Sequence, residues 1–297
     1  MPQPSITTRE YVGFRRSPAV PGLEVLDGEH SPRQWRDVCA GFAVTFLRTW
    51  QGTVRYRNGQ HDVEPGIAFC NHPAEALIAT PHGGRAGSFS VLIVAPELLR
   101  QWLSEYQAQA LRPEWRAVTK PISERLVRNI ADFLAAFRPQ SSALAQQSAA
   151  VRVAEGMIGE LVSGAANGRE RDQFPLGGAV LRGVARMRER LIDEDDDADL
   201  ASLARDAGLS RFQALRAFKR RYGLPPHAYQ LCLRVSRARA LLLDGGTPAD
   251  VAAHCGFVDQ SHFNRHFKRI VGVTPTQFAA EPANTSREYR IYESTSG

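Results

Sequence analysis

The chain has 297 residues, 43% of them hydrophobic, and 37 Lys/Arg against 31 Asp/Glu give a formal net charge of +6 at pH 7. Two domains are the natural expectation at this length. No run approaches about 18 apolar residues and no basic start precedes an apolar stretch, so neither a membrane span nor a secretion signal is expected, and a cytoplasmic location follows.

Between about residue 20 and residue 95, short runs rich in Val, Ile, Phe and Thr alternate with turn signals: GFAVTFLRTW, GTVRYRNG, EPGIAFCN and GSFSVLIVAP. Their spacing of roughly ten residues predicts an antiparallel barrel or sandwich. After Pro96 the pattern turns helical. PISERLVRNIADFLAAF (121–137) and SALAQQSAAVRVAEGMIGELVSG (142–164) place apolar residues at three- and four-residue steps and read as a helical pair. SGAANGRERDQFPLGG (163–178) is rich in Gly and charge with no apolar period, which marks a linker, taken as 166–178. This divides the chain into residues 1–165, a second domain over 179–280, and a polar tail, 281–297, expected to be flexible. The four cysteines (Cys39, Cys70, Cys232, Cys255) form no CxxC pair, as expected of small buried residues in a reducing compartment.

The second domain opens with a helix, AVLRGVARMRERLI, followed by the acidic run DEDDDAD at 193–199. Carboxylates there favour the positive N-terminal end of a helix starting near Leu200. Beyond it the sequence repeats. LARDAGLSRFQALRAFKRRYGLPPHAY (203–229) returns as VAAHCGFVDQSHFNRHFKRIVGVTPTQF (251–278), with Gly208/Gly256, Arg216/Arg265, Phe218/Phe267, Lys219/Lys268, Gly223/Gly272 and Pro226/Pro275 in register. In each copy a short apolar helix ends at a glycine, a turn follows, and a basic helix runs to a second glycine with proline close behind. Ser210, Asp259 and Thr247 are the expected N-caps, with Pro248 at the first helical position. This is helix-turn-helix grammar, used twice. The helix AYQLCLRVSRARALLL (228–243) joins the copies. Residues 200–280 hold 12 Lys/Arg and 4 Asp/Glu, a surplus of +8 that leaves −2 for the rest of the chain. The basic charge thus sits where a phosphate footprint needs it.

Periodicity divides the faces of the basic helices. Phe263 and Phe267 share a stripe with their counterparts Ala214 and Phe218, and that stripe should be core. The opposite face carries Arg211, Phe212, Leu215, Arg216 and Lys219 in the first copy. In the second it carries Gln260, Ser261, His262, Arg265 and Lys268. Such side chains can read base edges: Arg pairs with guanine, Gln with adenine, and an apolar group packs on a thymine methyl.

Residues 200–280 resemble the tandem helix-turn-helix domain of AraC/XylS-type bacterial transcription regulators, most closely through AAHCGFVDQSHFNRHFKRIVGVTPTQF; the first copy departs at Ala214, where the family has a larger apolar residue. The resemblance implies an α+β chain: a cupin-like antiparallel β-barrel that senses a small molecule, a helical pair that mediates dimerisation, then the all-α tandem helix-turn-helix domain. It implies double-stranded DNA as partner, a homodimer, and RNA polymerase contact if the chain is an activator. Leu126, Ile130 and Leu134, at i, i+4 and i+8, form the suggested dimer seam. Arg48, Trp50, His72 and His82 are the candidates for lining an effector pocket. No cofactor, metal or catalytic residue is expected. The alternative is a metal-dependent cupin enzyme fused to a DNA-targeting module. His61, His72 and His82, with Glu64 and Glu75, leave it open, although no HxH pair is present.

Overall fold

A computed structural model describes residues 10–16, 18–57, 59–106, 123–137, 141–166, 177–193 and 199–280, without side-chain placement at 160–166 and 193. The predicted linker lies mostly outside these residues, as do the 281–297 tail and most of the acidic run. Among the described residues nine strands come first: β1 (Tyr11–Arg16), β2 (Leu23–Ser31), β3 (Trp35–Val38), β4 (Phe42–Leu47), β5 (Gly52–Tyr56), β6 (Gly59–Val63), β7 (Ala68–Asn71), β8 (Ala76–Pro81) and β9 (Gly87–Val94). They form two antiparallel sheets, ordered β1-β2-β9-β4-β7 and β3-β8-β5-β6. Among the described residues no ladder joins one sheet to the other, so the expected barrel is two facing sheets rather than one closed ring.

The first sheet is covered on both sides, which is why β9 reads as a nearly unbroken apolar run. Alternate side chains go opposite ways. Leu92 and Val94 join Val25 and Val44 under three helices, while Phe89, Val91 and Ile93 face the second sheet. The covering helices are α1 (Pro96–Glu105), α2 (Glu124–Ala136) and α3 (Ala143–Ala166). Ser123 caps α2, its hydroxyl accepting the Leu126 N–H.

This cluster overturns one expectation. Leu126 and Ile130 are 0% and 1% exposed within the single chain, packed with Phe133, Ala149, Val153 and Met157, and Leu134 is packed beside them. The stripe is real, but α3 and the first sheet already bury it. It is not a dimer seam.

The remaining helices are α4 (Gly178–Asp193), α5 (Leu200–Ala207), α6 (Arg211–Tyr222), α7 (Pro226–Leu243), α8 (Pro248–His254), α9 (Gln260–Val271) and α10 (Pro275–Ala279). Asp199 caps α5 by accepting the Ser202 N–H, the role foreseen for the acidic run. This half does not stand apart from the sheets. Val38, Ala74, Ala76 and Ile78 share a core with Val184, Leu203, Phe218 and Tyr229, and Val12 and Phe14 share another with Phe263, Phe267 and Phe278.

Candidate DNA-reading face and interdomain cavity

The two helix-turn-helix units are built as their sequences dictate. The turn glycines Gly208 and Gly256 both have φ of +70°, and Gly223 and Gly272 close the second helices at +79° and +100°, conformations that a Cβ disfavours. Ser210 and Gln213 form a capping box at the start of α6, and Asp259 accepts the His262 N–H at the start of α9. Thr247 caps α8, with Pro248 at its first position. In the second unit Phe263 and Phe267 are fully buried, and Phe267 meets Phe278 edge-on at 5.4 Å. In the first, Phe218 lies 4.7 Å from Tyr222 and 5.4 Å from Tyr229. Ala214 is fully buried and Leu215 exposed, which fixes the rotation of α6 despite the small residue. Tyr222 and Tyr229 pack on Phe218 in the same cluster.

The outward faces follow. Arg211, Phe212, Leu215, Arg216 and Lys219 are exposed on α6, and Gln260, Ser261, Arg265 and Lys268 on α9. His262 differs from the rest of the set. It is half-buried, its ring 5.7 Å from Phe257 and 4.4 Å from His266, so it packs more than it presents. The guanidinium of Arg216 lies 5.3 Å from the centre of the Phe212 ring, a cation–π pair that orients it.

α7 has a second role beyond joining the units. Its inner side, with the C-terminal end of α9, closes a cavity between the two sheets. The cavity has a volume of about 80 Å³ and opens to solvent. Trp35 and Ala79 come from one sheet, Ala43, Thr45 and Phe89 from the other, and Val235, Arg239 and Val271 from the helix-turn-helix domain. Of the expected lining residues, the structure places only Trp50 here. Arg48 donates to the carbonyls of Gly28 and Phe89 and pairs with Glu29 at 2.5 Å. His72 sits against Phe42 at the β7–β8 turn, and His82 pairs with Asp62 on the surface at 3.3 Å. Among the described residues no three His, Cys, Asp or Glu side chains converge as metal ligands.

Sequence reading missed Arg239 and Asp37. Arg239 is 7% exposed and donates to Glu24 across the domain boundary at 3.1 Å, its guanidinium 5.0 Å from the Phe14 ring centre. An arginine on the apolar side of α7, four residues from Val235, was the available signal. Asp37 lines the cavity from β3; burial pushes its carboxyl above the ordinary value, and Arg239 opposes that. A separate clasp holds the turn after β7. Tyr229 Oη and Arg188 Nε both donate to the Ala74 carbonyl, and Arg188 Nη2 donates to that of Pro73 at 3.3 Å. Burial pushes the Tyr229 phenol up to about 12, so it stays a donor.

A family profile described as a helix-turn-helix domain matches residues 203–281. The chain is 31% identical over 121 residues to the HTH-type transcriptional regulator MtrA of Neisseria gonorrhoeae, covering 38% of this chain and 40% of the relative. It is 33% identical over 87 residues to the arabinose operon regulatory protein of Escherichia coli, covering 29% and 30%. The C-terminal domain is of the AraC/XylS type. The matches span less than half the length of these relatives. Over the whole fold, the chain resembles a crystal structure of unsaturated fatty acid bound ToxT from Vibrio cholerae. The likeness has a TM-score of 0.52 at 12% identity and covers 93% of this chain and 98% of that one. The arrangement of sheets, helical pair and tandem helix-turn-helix is therefore shared. No described helix is long and apolar enough to cross a membrane.

Proposed function

We propose that this chain is a transcription regulator whose hold on duplex DNA is set by a small molecule in the cavity between its sheets and its helix-turn-helix domain. The carrying observation is the duplicated basic face: Arg216 and Arg265 are exposed at matched positions on α6 and α9, each behind a left-handed glycine turn. Each arginine enters its own stretch of major groove, the two about one helical turn, ~10–10.5 bp, apart. Lys219 and Lys268, further along, touch phosphate. The effector part is supported by the cavity itself, whose wall includes α7 and α9, and by the unsaturated fatty acid bound to ToxT, a protein of the same fold.

We also infer a cytoplasmic homodimer, as the family resemblance implies, joined by a surface other than the buried Leu126–Ile130 stripe. RNA polymerase is the further partner if regulation is positive. The reading is tested by titrating full-length protein against duplex DNA at several salt concentrations. Affinity should fall steeply with salt, because cations on both helices displace counterions at ~0.9 per phosphate contacted. Binding that ignores salt, or no binding at low salt, would overturn it.

A further inference from the structure

Three polar groups in the wall of the interdomain cavity lack a full set of partners. Trp50 is 2% exposed, yet its Nε1–H meets no acceptor, and the buried Nε of Arg239 has none either. Asp37 is the third. Its carboxylate takes the backbone N–H of Val38, and it has no side-chain ion pair or hydrogen bond among the described residues. Buried donors and charges without partners are costly, so native walls that hold them usually face something.

The charges around this space do not cancel in the way a fatty acid would need. Arg239 is the cation in the wall, but Glu24 already accepts from it at 3.1 Å, and the Phe14 ring covers it at 5.0 Å. Arg16, 3.4 Å from Glu24, adds its charge on the far side of that carboxylate. Among the described residues Asp37 has no cation within contact distance; Arg239 acts on it only from further away, lowering its pKa against the effect of burial. An anionic ligand would have to displace Glu24 and sit near Asp37. A cation would meet Asp37 directly. Five aromatic rings, Phe14, Trp35, Trp50, Phe69 and Phe89, line the same volume. Rings stack on a flat ligand and present their negative faces to an ammonium group.

We infer that the cavity binds an aromatic amine: a flat body among the rings, its ammonium set against Asp37 and a polar ring substituent accepting from Trp50 Nε1. The raised carboxyl of Asp37 fits this assignment, since an arriving cation favours the ionised form and offsets the desolvation that raises it. The inference rests on the effector reading above and deepens it by naming the ligand class.

The test is calorimetric titration of the full chain with three probes that share one body: tyramine, tyrosol and 4-hydroxyphenylacetate. Tyramine should bind at least about tenfold tighter than neutral tyrosol, and the acid should bind most weakly. Asp37→Asn should bring tyramine to the level of tyrosol while leaving tyrosol within about twofold of its wild-type affinity. An acid that binds tightest, or an amine advantage that survives Asp37→Asn, overturns the inference. Equal binding of tyramine and tyrosol to the unmodified protein also overturns it, yet leaves the cavity as an effector site. Silence from all three overturns it as well, while the separate DNA titration reports on the regulator reading. Should Asp37→Asn fail to fold, the order of the three probes on the unmodified chain decides.

Discussion

Arg216 and Arg265 hold equivalent places in the two units but are held differently. Arg216 lies over the exposed Phe212 ring, whereas the matching helix α9 opens with the polar pair Gln260 and Ser261. Arg265→Ala should cost about 1–3 kcal/mol on the preferred site and relax discrimination at one base pair; Lys268→Ala should weaken all sequences alike and lower the salt slope by roughly one. Binding to a panel of single-base variants at several salt concentrations separates the two. A uniform loss for Arg265→Ala would show that the reading face is misassigned. His266 supplies a pH effect. Burial, with Arg269, Arg265, His262 and His227 nearby, lowers its pKa from 6.5 to about 4. Between those values the unfolded chain takes up the proton and the folded chain resists it, so stability is intact above about 6.5 and falls as pH drops toward 4. Melting temperatures across that window should fall less steeply in His266→Gln.

At the scale of single elements, turn chemistry was the most legible part of the sequence. Gly208, Gly256, Ser210, Asp259 and Thr247 do what their types and positions require, because caps and left-handed turns are decided by a few adjacent residues. Ser210→Ala should cost about 1 kcal/mol, and Gly208→Ala, forced to φ of +70°, about 1–2 kcal/mol. Chemical denaturation measures both, and a neutral Gly208→Ala would mean that the turn relaxes out of the left-handed region. The helical pair was legible only as far as its period. Leu126 and Ile130 announce that a stripe is buried; the partner that buries it comes from α3 and the first sheet, which no local pattern names. Strands β1, β2, β3, β6 and β8 were not individually visible. β6, GQHDV, is polar and lies at a sheet edge, and β1 precedes the stretch where strand spacing became regular.

For the molecule as a whole, the sequence pointed to two domains in series, and the structure packs them around shared cores. Phe14 meets Phe278 at 4.8 Å, and Glu24 meets Arg239 at 3.1 Å, partners more than 200 positions apart. Composition and periodicity carry no information on such pairs, which is why the cavity went unseen and three of its four proposed lining residues lie elsewhere. Ala43→Leu, on the sheet wall of the cavity, tests the link between cavity and DNA. Narrowing the space should cost no more than about 1–3 kcal/mol of stability and abolish any ligand-induced rise in melting temperature. DNA affinity without ligand should stay the same. Lost DNA binding in a folded Ala43→Leu would mean that the sheets hold the reading helices directly.

The two copies of the repeat have become unequal in their freedom to vary. The inner end of α9, at Ile270 and Val271, is cavity wall as well as helix core, while α6 supplies no residue to the cavity. On the proposed reading, a change at Ile270 is therefore felt by the ligand and by the second half-site at once, and one on α6 by the first half-site alone. Libraries selected for a new effector should accumulate substitutions on the sheet side, at Ala43, Thr45 or Ala79, whereas those selected for a new operator should exploit α6 first. Duplication, on this account, left one helix open to retargeting and tied the other to the signal.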